Sequence, residues 1–149
     1  MKVSDILRLK GNTLYAVQPQ EPLAKAVEIM AEKDIGSLVV MEHGELVGML
    51  TFREVIVCIV KSGGVVGSTL VRTAMDEHPL ICTSETELDE VRRMMLECHA
   101  RYMPVMNHKV MMGVISFYDV AKTVVDSQNF ENKMLKAYIR DWPELEDGK

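Results

Sequence analysis

The feature that most constrains this chain is an internal repeat. The stretch GVISFYDV at residues 113–120 has the same pattern as GMLTFREV at residues 48–55: glycine, two apolar residues, a hydroxyl residue, phenylalanine, any residue, an acid and valine. With an offset of 65, residues 17–62 and 82–127 align without a gap and are identical at eleven positions. Two copies of this length are not a solenoid. The repeat therefore predicts two similar half-domains packed around a pseudo-two-fold axis.

The beginnings of the two copies also share a shorter stretch of similar sequence. The stretch VSDIL at residues 3–7 resembles VRTAM at residues 71–75, but here the offset is 68. Three extra residues near positions 10–13 of the first copy account for the difference. The repeat therefore extends almost to the N-terminus.

Each copy is predicted to contain a strand, a helix, two further strands and a second helix. Residues 23–30 carry apolar side chains at the i, i+3, i+4, i+7 spacing of an amphipathic helix. In the second copy, Ser84 and Glu87 form a capping-box pattern that predicts a helix start at Ser84. Residues 37–50 and 102–116 each predict a β-hairpin, because apolar runs flank a short turn sequence.

Further predictions concern Pro104 and the helices that follow the hairpins. Pro104 has no backbone N–H, so we expect it at a sheet edge or beside a bulge. Helices over residues 52–62 and 117–127 are predicted to close the copies. Residues 129–142 predict a separate amphipathic helix, and we expect the polar tail behind it to be frayed.

The predicted fold class is α/β (α+β): two βαββα repeats around a pseudo-two-fold axis, plus a C-terminal helix. The predicted boundaries are a first repeat over residues 1–62, a glycine-rich linker over 63–70, a second repeat over 71–127, and a C-terminal helix and tail over 128–149.

Composition limits the possible functions. The chain is 48% hydrophobic and 26% charged, with a formal net charge of −5; this balance is typical of a soluble globular protein and disfavours a broad nucleic-acid surface. The longest apolar runs, such as residues 55–60, are too short to span a bilayer. The three cysteines show no paired spacing and predict buried, reduced thiols. We therefore expect a cytoplasmic protein with no membrane partner.

The repeated motif places a hydroxyl residue at the start of a helix and an acid three positions later. Thr51 with Glu54, and Ser116 with Asp119, fit a capping box, which requires no ligand. A helix N-terminus also attracts phosphate, and a carboxylate one turn further on can accept both hydroxyls of a ribose. The preceding glycines, at positions 48 and 113, would let a ligand or another backbone segment approach closely.

Taken together, the double βαββα pattern and the two closing motifs, GMLTFRE and GVISFYD, resemble tandem CBS domains, the Bateman module. The resemblance covers nearly all of residues 1–127. It implies two clefts between the repeats that bind adenosine-containing molecules such as AMP, ADP, ATP, NAD(H) or S-adenosylmethionine. It also implies that two modules pair into a disc-shaped homodimer.

The resemblance assigns roles to residues around the second motif. Asp119 would bind the ribose and Ser116 the phosphate. The remaining residues would shape the pocket from the second repeat or face it from the first: Ile115, Phe117, Tyr118, Tyr15, Ala16, Gly36 and Ser37.

The first motif departs from the family pattern, because Glu54 stands where aspartate is usual. The longer side chain would place the ribose differently, or the cleft would bind weakly or not at all. The residues that the resemblance places around this cleft are Thr51, Arg53, Glu54, Leu80, Ile81, Arg101 and Tyr102. We favour the Asp119 cleft.

Neither a catalytic nor a metal-binding motif is evident in the sequence. We therefore predict a regulatory, signal-transducing module that is not an enzyme, requires no cofactor beyond its nucleotide ligand, and acts on an unidentified protein or through its own assembly. The main alternative is a structural dimerisation module with vestigial pockets. Nucleotide turnover and nucleic-acid binding are further, disfavoured alternatives.

Overall fold

The computed structural model describes residues 1–11 and 13–140. It contains two small sheets and six helices within these residues, and the predicted mixed α/β fold is confirmed. The elements are α1 (Val3–Lys10), β1 (Ala16–Val17), α2 (Leu23–Lys33), β2 (Ser37–Glu42), β3 (Glu45–Thr51), α3 (Phe52–Lys61), α4 (Val71–Ala74), α5 (Leu88–Cys98), β4 (Tyr102–Asn107), β5 (Val110–Ser116) and α6 (Phe117–Arg140).

Each repeat has one antiparallel hairpin at its centre. In the first repeat, β1 adds a parallel strand to the β2–β3 hairpin. In the second repeat, the counterpart of β1 is a single parallel bridge between Cys82 and Val105 beside the β4–β5 hairpin. The hairpin register shifts between Val40 and Met41 in one repeat and between Val105 and Met106 in the other. These are equivalent positions, so the repeats share their irregularities.

Pro104 lies next to the second of these shifts, as its missing N–H predicts. Its carbonyl accepts a hydrogen bond from the Cys82 N–H at 3.1 Å. A proline is tolerated here because only its acceptor is needed by the neighbouring segment.

The opening helices are exchanged between the repeats. Val3 of α1 is fully buried in the core of the second repeat, and Val71 of α4 is fully buried in the core of the first. The Val3 N–H donates to the Thr86 carbonyl at 3.0 Å, and the Val71 N–H donates to the Glu21 carbonyl at 2.9 Å. Each repeat therefore depends on a helix that precedes the other in sequence.

Two glycines of the closing motifs make room for this exchange. A Cβ on Gly48 would lie 2.9 Å from the Asp76 carbonyl, and a Cβ on Gly113 would lie 2.9 Å from the Leu7 side chain. The Met49 N–H donates to the Asp76 carbonyl at 2.9 Å, and the Asp76 N–H donates to the Met49 carbonyl at 2.8 Å. The sequence left open whether a ligand or another segment of the chain would lie close to these glycines. In the structure, another segment of the chain lies close to both.

Two sequence expectations about helices are wrong. The helix expected to start at Ser84 starts at Leu88, because the Ser84 backbone N–H and hydroxyl both donate to the Asn107 side chain, at 3.1 and 3.0 Å, instead of capping a helix. The expected separate C-terminal helix is continuous with the closing helix as α6. No proline or glycine interrupts residues 117–140, so nothing in the backbone ends the helix earlier. The predicted frayed tail lies beyond residue 140, outside the described residues.

The three thiols differ in their surroundings. Cys82 is buried, and burial raises the pKa of its thiol to about 12, because a thiolate is poorly solvated there. Cys58 is half-buried. Cys98 is exposed, so the expectation that all three are buried is wrong for this residue. Cys98 is the last residue of α5.

The exchange of opening helices predicts matched losses of stability. Val3→Ala and Val71→Ala should each lower the free energy of unfolding by about 2–3 kcal/mol, since each removes two buried methyl groups and leaves a cavity. Val65→Ala, at a side chain that is 60% exposed, should change it by less than about 0.5 kcal/mol. Chemical denaturation monitored by circular dichroism measures all three. A negligible loss for either buried valine would contradict the exchange.

Candidate ligand clefts between the repeats

Two clefts open where the repeats meet. The first cleft contains the closing motif of the first repeat and has a volume of about 1290 Å³. The second cleft contains the closing motif of the second repeat and has a volume of about 920 Å³. Both volumes are within or above the range of small-molecule sites.

The first cleft brings together all seven residues that the resemblance placed there. Thr51, Arg53 and Glu54 come from the β3–α3 junction of the first repeat. The opposite side is formed by the second repeat, through Leu80, Ile81, Arg101 and Tyr102.

Glu54 is engaged in a capping box at the start of α3. One of its oxygens, Oε1, accepts hydrogen bonds from the Thr51 N–H at 2.8 Å and from the Thr51 hydroxyl at 2.6 Å. The Thr51 hydroxyl oxygen accepts from the Arg53 N–H at 3.2 Å. Because its proton is directed at Glu54, the Thr51 hydroxyl would have to rotate before it could donate to a phosphate.

The first cleft also contains charged and titratable side chains that the sequence analysis did not include. Asp76, His78 and His99 line it beside the predicted residues. Asp76 and His78 follow the exchanged helix α4, and His99 ends α5 in a left-handed conformation. All three residues follow the end of a helix that faces the other repeat. The sequence alone does not show this, because it depends on how the two repeats pack.

In the second cleft, Ser116 and Asp119 also form a reciprocal cap. The Ser116 N–H donates to Asp119 Oδ2 at 2.8 Å, and the Asp119 N–H donates to Ser116 Oγ at 3.0 Å. The same Oδ2 accepts a second hydrogen bond, from the Lys10 ammonium at 2.7 Å. Within the described residues, Asp119 Oδ1 has no protein donor.

Most of the residues predicted for the second cleft line it: Tyr15, Gly36, Ser37, Ser116, Phe117 and Tyr118. Asp119 adjoins it through Lys10, which lines the cleft. Ile115 does not: its side chain is fully buried in the core of the second repeat. Side chains alternate along a strand, so Val114 and Ser116 face the cleft and Ile115 faces inward. Ala16 also lies outside the lining and is exposed on β1.

Three residues, Arg101, Tyr102 and Phe117, form a wall common to both clefts. Tyr102 packs against Gly36, where a Cβ would overlap the tyrosine hydroxyl and would lie 2.8 Å from the Phe52 ring. Gly36 is therefore required for the wall to close. Among the described residues, the Arg101 guanidinium has no hydrogen-bond or ion-pair partner.

Lys10 was missed by the sequence analysis. It is the last residue of α1, and it lies in the short region where the offset between the copies changes from 65 to 68. Its counterpart position in the second repeat therefore cannot be found by alignment. The change of offset was the one sequence signal that could have pointed to Lys10, but it marks a short region and does not single out a residue.

The described residues hold no group of three or more His, Cys, Asp or Glu side chains arranged to bind a metal. In the same part of the chain, no helix combines the length and apolar character needed to cross a membrane.

Comparison with known proteins identifies the family of this fold. The family model of the CBS domain matches the chain twice, over residues 3–61 and 71–126. The chain belongs to the CBS-domain family. This CBS pair is 31% identical over 147 residues to the CBS domain-containing protein CBSX3, mitochondrial, of Arabidopsis thaliana, covering 93% of this chain and 71% of the relative.

Solved structures agree with the assignment. A CBS-domain protein of Burkholderia ambifaria MC40-6, provisionally described as acting in signal transduction, superposes with a TM-score of 0.80 at 28% identity, covering 86% of this chain and 96% of the other. The structure of CBSX2 in complex with AMP superposes with a TM-score of 0.72 at 22% identity, covering 85% and 98%. At that identity the second match supports the fold of the CBS pair and not its ligand.

Proposed function

We propose that this CBS pair is a regulatory module that binds an adenosine-containing nucleotide, with the second cleft as its main site. The observation that carries the proposal is the start of α6. There, a carboxylate oxygen of Asp119 with no donor among the described residues lies one turn from a helix N-terminus, at the edge of a cleft between two repeats. CBSX2, a protein of the same fold, is known in complex with AMP, and we propose the same class of ligand for this chain.

Different groups around the second cleft can bind the ribose, the phosphate and the base of a nucleotide. Asp119 Oδ1 can accept from a ribose hydroxyl while Oδ2 keeps its bond to the Ser116 N–H. The Phe117 and Asp119 N–H groups already donate within the chain, to the Arg101 carbonyl and to Ser116 Oγ. The Tyr118 N–H and the Ser116 hydroxyl suit a phosphate, which the helix dipole also attracts. Tyr15 and Tyr118 offer aromatic surface for a base.

A ligand in this position would contact both repeats at once. Gly36 and Ser37 come from the first repeat, whereas Ser116 and Tyr118 come from the second. The ligand would favour whichever arrangement of the repeats lets all contacts form, in proportion to its difference in affinity between arrangements. The regulated protein is not part of this chain, and a cytoplasmic location remains a prediction from the sequence.

The first cleft is proposed as a weaker site. Glu54 Oε1 accepts two hydrogen bonds from Thr51. Both hold the carboxylate at the start of α3, so it extends less far into the cleft. The histidines 78 and 99 and the two arginines that line the cleft suit an anion. Asp76 opposes them, so the cleft has charges of both signs.

Nucleotide binding predicts a ligand-specific gain in stability. AMP, ADP, ATP, NAD, NADH and S-adenosylmethionine are each tested by thermal unfolding, and the true ligand at a hundred times its dissociation constant should stabilise the chain by about 2.7 kcal/mol, a melting shift of roughly 5–10 °C. Asp119→Asn keeps an oxygen to cap Ser116 but removes the anionic acceptor, so affinity should fall about 10–100-fold.

Asp126→Asn is the matched control, since Asp126 is exposed on the same helix and lines neither cleft. It should leave the ligand-induced shift unchanged. If none of the six ligands shifts the melting temperature of the native chain, the proposed function is wrong and a structural dimerisation module becomes the better account. A shift that survives Asp119→Asn in full would place the ligand elsewhere.

We also propose that the module forms a homodimer through α3 and α6. Val60 and Val125 occupy equivalent positions on these helices and are 73% and 51% exposed. Further apolar side chains flank them, including Ile56 and Val57 on α3. An exposed apolar surface of this kind is typical of a protein–protein contact.

The dimer is tested by a double charge substitution. Val60→Glu/Val125→Glu should convert a species with the mass of two chains into one with the mass of a single chain, because four carboxylates would have to be buried in the interface. Size-exclusion chromatography with light scattering measures the mass. Val65→Glu, in the exposed linker, should leave it unchanged. A native chain that is monomeric at all concentrations would contradict the dimer.

A further inference from the structure

Lys10 holds the carboxylate that the proposed function assigns to the ribose. Its ammonium lies 2.7 Å from Asp119 Oδ2 and 2.8 Å from the Val114 carbonyl oxygen. The Asp119 side chain is only 18% exposed, whereas Lys10 is 38% exposed and lines the second cleft. The negative charge at the edge of the cleft is therefore compensated within the chain.

The backbone of Lys10 is held in place, whereas its ammonium group can change partners. Lys10 is the last residue of α1, which is anchored in the second repeat by the buried side chains of Val3 and Ile6. The helix ends at Gly11, whose φ of 90° is readily adopted only by glycine. A lysine ammonium on four methylene groups can turn to a new partner without moving this anchor.

A phosphate bound at the start of α6 would lie within reach of that ammonium. Ser116 N–H and Lys10 Nζ both bond the same oxygen, Asp119 Oδ2, so they lie on adjacent sides of one atom. A phosphate held by the Ser116 hydroxyl and the Tyr118 N–H would be a second anion next to Asp119. Without Lys10, the two anions would repel each other.

We propose that Lys10 makes the second cleft selective for phosphorylated over unphosphorylated adenosine ligands. When a nucleotide enters, one ribose hydroxyl takes Asp119 Oδ1, the other replaces Lys10 at Oδ2, and the ammonium turns to the phosphate. When a nucleoside enters, Lys10 loses the Asp119 carboxylate and keeps only the Val114 carbonyl. This inference rests on the proposed function and names the residue that sets the ligand class.

The magnitudes favour this exchange. An ion pair with partial exposure contributes little net stability, so its loss is easily offset. A charge-assisted hydrogen bond from an ammonium to a phosphate is among the stronger polar contacts. Asp34 and Arg101 also line the cleft, but neither forms an ion pair within the described residues. Lys10 is therefore the charged lining residue whose partner changes when Asp119 binds a ligand.

Calorimetric titration of the native chain and of Lys10→Met with AMP and with adenosine tests the inference. Lys10→Met should weaken AMP binding about 10–100-fold, the loss of a charge-assisted contact. The same substitution should strengthen adenosine binding by roughly 1.5–5-fold, because Asp119 is released from an exposed ion pair. Opposite changes for the two ligands cannot arise from general damage to the site.

Three further variants separate the possible causes. Lys10→Arg keeps the charge and should retain the native preference for AMP. Lys10→Gln keeps a donor for Asp119 without the charge, so it should lose AMP affinity with no gain for adenosine. Lys61→Met replaces the lysine that ends α3; Lys61 itself lines neither cleft, and this variant should behave as the native chain.

The outcomes separate this inference from the function on which it rests. If neither ligand binds the native chain, the proposed function fails and the inference fails with it. If AMP binds but Lys10→Met, folded by circular dichroism, changes both affinities in the same direction or not at all, the inference alone is overturned. A Lys10→Met variant that does not fold is replaced by Lys10→Gln, for which an unchanged AMP affinity overturns the inference.

Discussion

The rest of this structure depends on the exchange of the opening helices. Val3 completes the core of the second repeat and Val71 completes that of the first, so neither half has its full core without the other's leading segment. Paired backbone bonds to Thr86 and Glu21 fix the depth of each helix. The clefts exist because this exchange holds the two repeats face to face, and Lys10 reaches Asp119 because α1 packs on the repeat that contains Asp119.

At the closing motifs, one carboxylate has both a structural and a proposed binding role. A helix start needs an acceptor for its first N–H groups, and Asp119 meets that need with one oxygen. Its other oxygen has no donor among the described residues, which leaves it available to a ribose. The capping interpretation and the binding interpretation of the motif are thus compatible. Glu54 uses one oxygen in the same way but also takes the Thr51 hydroxyl, a difference that the extra methylene permits.

Much of the fold could be predicted from the sequence, because the repeat tests each assignment twice. The two hairpins follow from apolar runs around short turns, and the bulge beside Pro104 follows from its missing N–H. All seven residues of the first cleft follow from the resemblance to CBS domains. The prediction at Ser84 was wrong because a local pattern cannot show that Asn107, 23 residues away, is the better partner. Ile115 was assigned to the second cleft from the family motif, although the alternation of β5 turns it into the core. Lys10 was missed because it lies where the copies do not align and because its partner, Asp119, is 109 residues away.

The central claim is that a nucleotide binds between the repeats and contacts both of them. Hydrogen–deuterium exchange of the native chain, with and without AMP at a hundred times its dissociation constant, tests this claim most directly. The account predicts slower exchange at two separate segments, the start of β2 in the first repeat and the start of α6 in the second. Slower exchange in one repeat alone, or no change in either segment when AMP is bound, would contradict it.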